Sequence, residues 1–213
     1  ELGETARTAC VREVLEEILR LRDLRDRQTL GEVERRDTAL TALARRGLAL
    51  DPATFLQAVS HGDKDSVDLF IRAGIRIHVG DREGNPPLMI ALRKGYTIVA
   101  KILIEAGADV NFRDRIGLTP LLLACGKSSA GANVVAEMLI RRGAHINVRD
   151  GLGHSPLTLA LAGGMLDVAE QLIERGADLA VRAAGGETPA SLAQAIDSPR
   201  IAQLVLQRGT AAA

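Results

Sequence analysis

The sequence predicts an all-α fold: a solenoid of stacked helix-turn-helix repeats with short extended arms, preceded by capping helices at the N-terminus. Three observations lead there. The phrase GLTPLLLACG at residues 117–126 recurs in altered form along the chain. A second phrase, typified by LIEAGADVN, keeps step with it. Aromatic residues make up only 2% of the chain, so the core must be built from Leu, Ile, Val and Ala, which suits packed helices better than a β-sandwich.

The spacing is regular. GNPPLMIALRKG opens at Gly84, GLTPLLLACGKS at Gly117, GHSPLTLALAGG at Gly153 and GETPASLAQAID at Gly186, in steps of 33, 36 and 33 residues. The second series carries Gly74, Gly107, Gly143, Gly176 and Gly209, in steps of 33, 36, 33 and 33. Two independent markers that share the same odd interval exclude coincidence.

The elements follow in chain order. Residues 1–49 do not match the repeat and form a separate helical segment. Residues 4–28 predict a helix whose Val11, Val14, Ile18 and Leu21 make one apolar stripe, widened by Leu15, Leu19 and Leu24. Gly31 is expected to break it. A second helix is expected over 32–47, with Val33, Leu40, Leu43 and Ala44 on one side. Up to residue 49, ten arginines balance ten acidic residues, so the stripe is not a basic membrane-surface helix. It reads as a cap folded over the first repeat, which every solenoid needs, or as a joint to a partner or a second copy. Residue 1 is Glu, so something upstream is expected to have been removed, and the segment to continue a longer chain or to sit near a membrane anchor.

Residues 50–213 hold the repeats. Thr119 is placed to cap a helix and Pro120 fits its first turn. The run Leu121, Leu122, Leu123, Ala124 is then a short inner helix, buried on most sides. After a polar link comes an outer helix with apolar residues at helical spacing, as in Val99, Ile102, Leu103 and Ile104. Gly107 ends that helix in a left-handed conformation, and ADVNFRDRIG is an extended arm with a turn. Neither helix is long enough to bury its apolar face alone, so neighbouring units must stack.

These residues resemble the ankyrin repeat, with its period of 33, its G-x-T-P-L opening and the G-A-D-V-N that closes its second helix. The resemblance covers roughly residues 50–209 in five units and implies an ankyrin-type solenoid. The first unit, about 50–83, is degenerate at its start, and the last, about 187–209, is a truncated C-terminal cap. The family often carries His after Thr-Pro-Leu, where this chain has Met89, Leu122, Thr158 and Ser191, so fewer hydrogen bonds between turns are expected. Pro86 replaces the usual Thr, so that cap is lost. Three inserted residues fall within GKSSAGAN at 126–133, in the helix-to-helix link of the third unit.

Chemistry is sparse. The net charge is zero, with 27 basic and 27 acidic residues, which argues against nucleic acid, as do too few aromatics to stack bases. Cys10 and Cys125 are far apart and read as free thiols in packed helices. No run approaches the roughly 18 to 20 residues of a membrane span, so this segment is expected to make no direct membrane contact. His61, His78, His145 and His154 have no metal-ligand spacing, and each has a place in the repeat. The GKS at 126–128 lacks the earlier glycine of a phosphate loop. No enzyme activity, cofactor or metal is expected. The excess of Arg over Lys, with abundant Ala, points to a GC-rich bacterial source. Free thiols favour the cytoplasm, with a bacterial periplasm as the alternative.

Function therefore has to come from the surface. The resemblance implies that partners bind the concave side, made of arm tips and inner helices. Carried over by position, the arm tips are Arg82, Glu83 and Asn85; Arg115, Ile116 and Leu118; Leu152 and His154; and Glu187. The exposed inner-helix positions are Arg93, Lys94, Tyr96 and Lys127. The N-terminal half of this surface is basic, its middle carries the aliphatics Ile116, Leu118 and Leu152, and Tyr96 is a candidate anchor. Two functions are expected. One is a non-catalytic protein-interaction module, an adaptor or regulator that grips an acidic, partly apolar element of another protein. The alternative is a structural subunit or domain of a larger assembly, joined through the N-terminal amphipathic helix.

Overall fold

A hydroxyl or carboxylate ahead of a proline starts a helix because the side chain accepts a first-turn N–H that has no partner, and the proline lacks a donor to strand. In the computed structural model, which describes residues 30–127, 130–196 and 198–210, this device recurs through the repeats. Helix α1 (30–45) comes first. Five pairs follow: α2 (Pro52–His61) and α3 (Lys64–Arg72), α4 (Pro87–Lys94) and α5 (Thr97–Glu105), α6 (Pro120–Cys125) and α7 (Ala130–Arg141), α8 (Pro156–Ala162) and α9 (Leu166–Glu174), α10 (Pro189–Ala195) and α11 (Pro199–Thr210). No strand occurs among the described residues.

Asp51 caps α2, with its carboxylate 2.9 Å from the Thr54 N–H. Thr119 caps α6 through the Leu122 N–H at 3.3 Å. Ser155 and Thr158 close a reciprocal capping box on α8, and Thr188 and Ser191 close another on α10. Two of the positions where the family often has His thus serve the cap of their own helix. Pro86 makes no side-chain cap bond to α4.

Each helix packs against its pair partner, each inner helix against the next inner one, and each outer helix against the next outer one. One continuous core results, running from Ala39 and Leu43 of α1 to Ile201 and Val205 of α11. Helices α3, α5, α7 and α9 end on glycines with positive φ, as at Gly107 (+89°), where a residue with a side chain would be strained, whereas Gly209 lies inside α11. Burial pushes the thiol of Cys125, inside α6, up to about 12, so it is an inert packing group.

Asparagines tie the arms of successive units together. Asn111 accepts the His145 N–H at 2.7 Å and donates to the Gly143 carbonyl at 3.2 Å. Asn147 repeats the clamp on the Asp178 N–H at 2.9 Å and the Gly176 carbonyl at 3.2 Å. In the first unit this register holds His78. His78→Asn is expected to complete the series against Asp109 and Gly107 and to raise stability by about 0.5–1.5 kcal/mol; a urea titration of both proteins checks it.

The structure revises two expectations. Gly31 is helical, near the start of the described part of α1, and the end of the helix expected over 4–28 lies outside the described residues. The buried side of α1 is Ala39 and Leu43 with half-buried Leu40, while Val33 is 54% exposed and Ala44 is exposed. The inserted residues do not simply enlarge a link: α7 has 12 residues where α3, α5 and α9 each have 9, so the outer helix gains a turn. Gly131 permits that turn, because a Cβ there would lie 2.8 Å from Thr97 Oγ1. Ser128 and Ser129 lie outside the described residues, as do the predicted helix over 4–28 with its stripe and Cys10.

The end of α1 is anchored by Arg46, which donates to Ser66 Oγ at 3.0 Å. Asp63 caps α3; bonds from Ser66 hold its carboxyl below the ordinary range, and Arg46 adds a favourable charge. Asp51 is lowered in the same way by bonds from Thr54. A depressed carboxyl contributes stability that is complete above its unfolded value of about 3.9 and is lost as pH falls through the lower folded value. Thermal melts from pH 6 to 2 are therefore expected to fall off below about pH 4, and less steeply in the Asp51→Asn, Asp63→Asn double variant.

Candidate functional site

The arm tips are tight turns built on a repeated carboxylate. Asp81 accepts the N–H groups of Glu83 and Asn85, Asp114 those of Ile116 and Leu118, and Asp150 those of Leu152 and His154, all at 2.8–3.0 Å. A glycine with positive φ sits in each turn, Gly117 at +83° among them. The fourth turn, 183–187, keeps the backbone bonds but has Ala183 in place of the carboxylate. Burial pushes the Asp150 carboxyl up, but the bonds from His154 and Leu152 outweigh it and hold the group below its usual range. Each turn is thus rigid, and its first two residues after the carboxylate point outward.

Two columns of side chains run along the tips. The first reads Arg82, Arg115, Gly151, Ala184, and the second reads Glu83, Ile116, Leu152, Gly185. Ile116 is 65% exposed and Leu152 is 60% exposed, on neighbouring turns. Leu118 is half-buried and Asn85 is buried, its amide bonded to Asp81 and Glu83, so both support the turns rather than present themselves. His154 is partly buried with Nδ1 3.0 Å from Asp150 Oδ2, and it locks its own turn.

A cleft of about 510 Å³ opens between the first and second tips, lined by Glu83, Asn85, Arg93, Phe112, Arg113, Asp114, Arg115 and Ile116. The structure therefore brings together Glu83, Arg93, Arg115 and Ile116 of the expected surface, with Arg82 adjoining on the first tip. Arg93 reaches from α4 to Asp114 in a 2.6 Å ion pair, so its charge is largely answered. Arg113 donates to the Arg149 carbonyl at 3.1 Å.

The remaining basic and aromatic positions lie at the other end of the inner helices. Lys94 donates to the Ser60 carbonyl at the end of α2, and Lys127 to the Arg93 carbonyl at the end of α4. Each caps the preceding unit's inner helix, where a cation is favoured by the helix dipole. Gly163 stands at the next register and ends this ladder. Tyr96 follows α4 and is half-buried, with its ring against Gly62, where a Cβ would meet it at 2.8 Å. It spaces the link between α2 and α3.

An ankyrin-repeat profile of three copies matches residues 55–150, and a single ankyrin repeat matches residues 152–184. The chain belongs to the ankyrin repeat family. A search of curated proteins gave no match. Ankyrin repeats generally mediate protein–protein interaction. The α10–α11 pair lies beyond the matched residues, yet it stacks on α8 and α9 as an ankyrin unit does. Among the described residues, no group of three or more His, Cys, Asp or Glu side chains is arranged to hold a metal ion, and no helix is long and apolar enough to cross a membrane.

The turn carboxylates Asp81, Asp114 and Asp150 and the clamps Asn111 and Asn147 escape a search for chemical motifs. Their signal is register: each residue type returns at the repeat interval in the arm of a different unit.

Proposed function

We propose that this ankyrin domain is a non-catalytic adaptor or regulator that grips another protein along its arm tips and inner-helix surface, the concave and partly basic side. What supports this best is the pair Ile116 and Leu152, exposed at equivalent positions of adjacent rigid turns. A single exposed aliphatic is ordinary. Two in register on carboxylate-braced turns form a preorganised apolar contact, which lowers the ordering cost of binding. The arginines beside them steer an acidic partner, and the aliphatics hold it. Since Arg93 is paired with Asp114, and Lys94 and Lys127 cap neighbouring helices, those three serve the scaffold as well as the field. The free thiol of buried Cys125 is compatible with a reducing cytoplasm, which we favour over a bacterial periplasm.

The Ile116→Asp, Leu152→Asp double variant is expected to keep its helical circular dichroism and to lose partner capture from the native source by at least about tenfold, which is 1.4 kcal/mol. Capture of the same partners at equal strength would remove this reading. A second reading, a structural subunit joined at its N-terminal end, draws on Leu30 and Val33, which α1 leaves exposed. Light scattering separates the two: a monomer favours the adaptor, and a defined oligomer abolished by Val33→Asp favours the subunit.

A further inference from the structure

We infer that the cleft between the first and second arm tips takes an extended acidic segment of a partner protein, with carboxylates about three residues apart and an aliphatic side chain beyond them toward the third tip. This rests on the adaptor reading and adds the partner's chemistry and register.

The charges come first. Neither Arg82 nor Arg115 has a hydrogen-bond or ion-pair partner among the described residues. Arg113 has only a carbonyl partner on one nitrogen, so its charge is not cancelled. Arg93 and Asp114 cancel each other. Arg82, Arg113 and Arg115 therefore outnumber the carboxylates that lack an ion pair at these tips, Glu83 and Asp81, the second of which also feels the charge of Arg93. Guanidinium groups favour planar, bidentate carboxylates.

Spacing comes next. Arg82 and Arg115 occupy the same register of successive units, and packed helices stand about 8–10 Å apart. An extended chain advances about 3.3 Å per residue, so carboxylates three residues apart meet the two arginines in turn. Half-buried Phe112 and exposed Ile116 give the cleft an apolar wall, and Leu152 continues it on the third tip. The arginine column ends at Gly151. The surface thus changes along its length from basic to apolar, and the bound strand has an acidic end over the first tips and an aliphatic end over the third.

The test uses the whole chain and dye-labelled synthetic peptides: two glutamates three residues apart, then leucine three residues further on, in both chain directions, in a Ser/Thr background. Controls carry Gln for Glu, or Ser for Leu. At low salt one direction of the Glu–Leu peptide is expected to bind at least about tenfold tighter than its Gln control, by fluorescence anisotropy. Arg82→Glu with Arg115→Glu is expected to erase that difference while the circular dichroism stays the same. Equal binding of the Gln control, a preference that survives in the variant, single-stranded DNA bound as tightly as the peptide, or no binding by any peptide would each overturn the inference. Partner capture by the Ile116→Asp, Leu152→Asp variant is measured apart from this. If that capture is lost while no peptide binds, only the acidic register is wrong; if capture is unchanged, the adaptor reading fails too.

Discussion

Phe70→Ala is expected to lower stability by about 3–5 kcal/mol and to split unfolding into two steps. Phe70 is wholly buried in α3, edge-on to Phe55 of α2, with ring centroids 5.7 Å apart and an interplanar angle of 63°. Truncation removes the ring's burial, its contact with Phe55 and the support of a unit whose remaining buried apolar residues, Ala58, Val59, Val67 and Ala73, are small. The position within the stack decides the second effect. The first unit has a complete repeat on one side only, and α1 docks on it through Ala39, Leu43 and Arg46. In a linear array an end unit gives up one repeat interface when it unfolds. Hydrogen exchange in urea is expected to show residues 52–72 losing protection while 97–174 keep it. One shared transition at the wild-type midpoint would contradict this.

Leu121→Ala is expected to cost about 2–5 kcal/mol with the opposite signature, a single transition at lower urea. Leu121 is fully buried in α6, which packs against α4 on one side and α8 on the other. Unfolding this central unit alone gives up two interfaces, so it stays folded until its neighbours go, and the loss is shared along the stack. The measurement is a urea titration followed by circular dichroism and by exchange at α4 and α8. Loss of α6 protection well before either neighbour would show that coupling between units is weaker than the continuous core implies.

Much of the scaffold is legible residue by residue. Thr119, Ser155 and Thr188 cap the helices that their Pro neighbours begin, and both glycine series sit in the left-handed region except Gly209, which stays inside α11. Pro86 forfeits its cap as its chemistry requires. Local expectations fail where packing overrides propensity. Val33 faces solvent, although pattern alone assigned it to the packed side of its helix. The inserted residues lengthen α7 because Gly131 lets a further turn lie against Thr97, a contact between units that spacing does not reveal.

Repetition settles the architecture from the chain alone, because an apolar helix pair too short to shelter itself has only one economical solution, a neighbour of the same kind. The character of the binding face is another matter. Arg93 meets Asp114, Lys94 meets Ser60 and Lys127 meets Arg93, across 21 to 34 residues of chain, and each of these basic groups is thereby drawn into holding the stack. Among the described residues Arg82 and Arg115 remain uncommitted, with Ile116 and Leu152 exposed beside them. Which charges are spent and which are left to meet a partner depends on the alignment of one unit over the next, and that alignment exists only once the units have stacked.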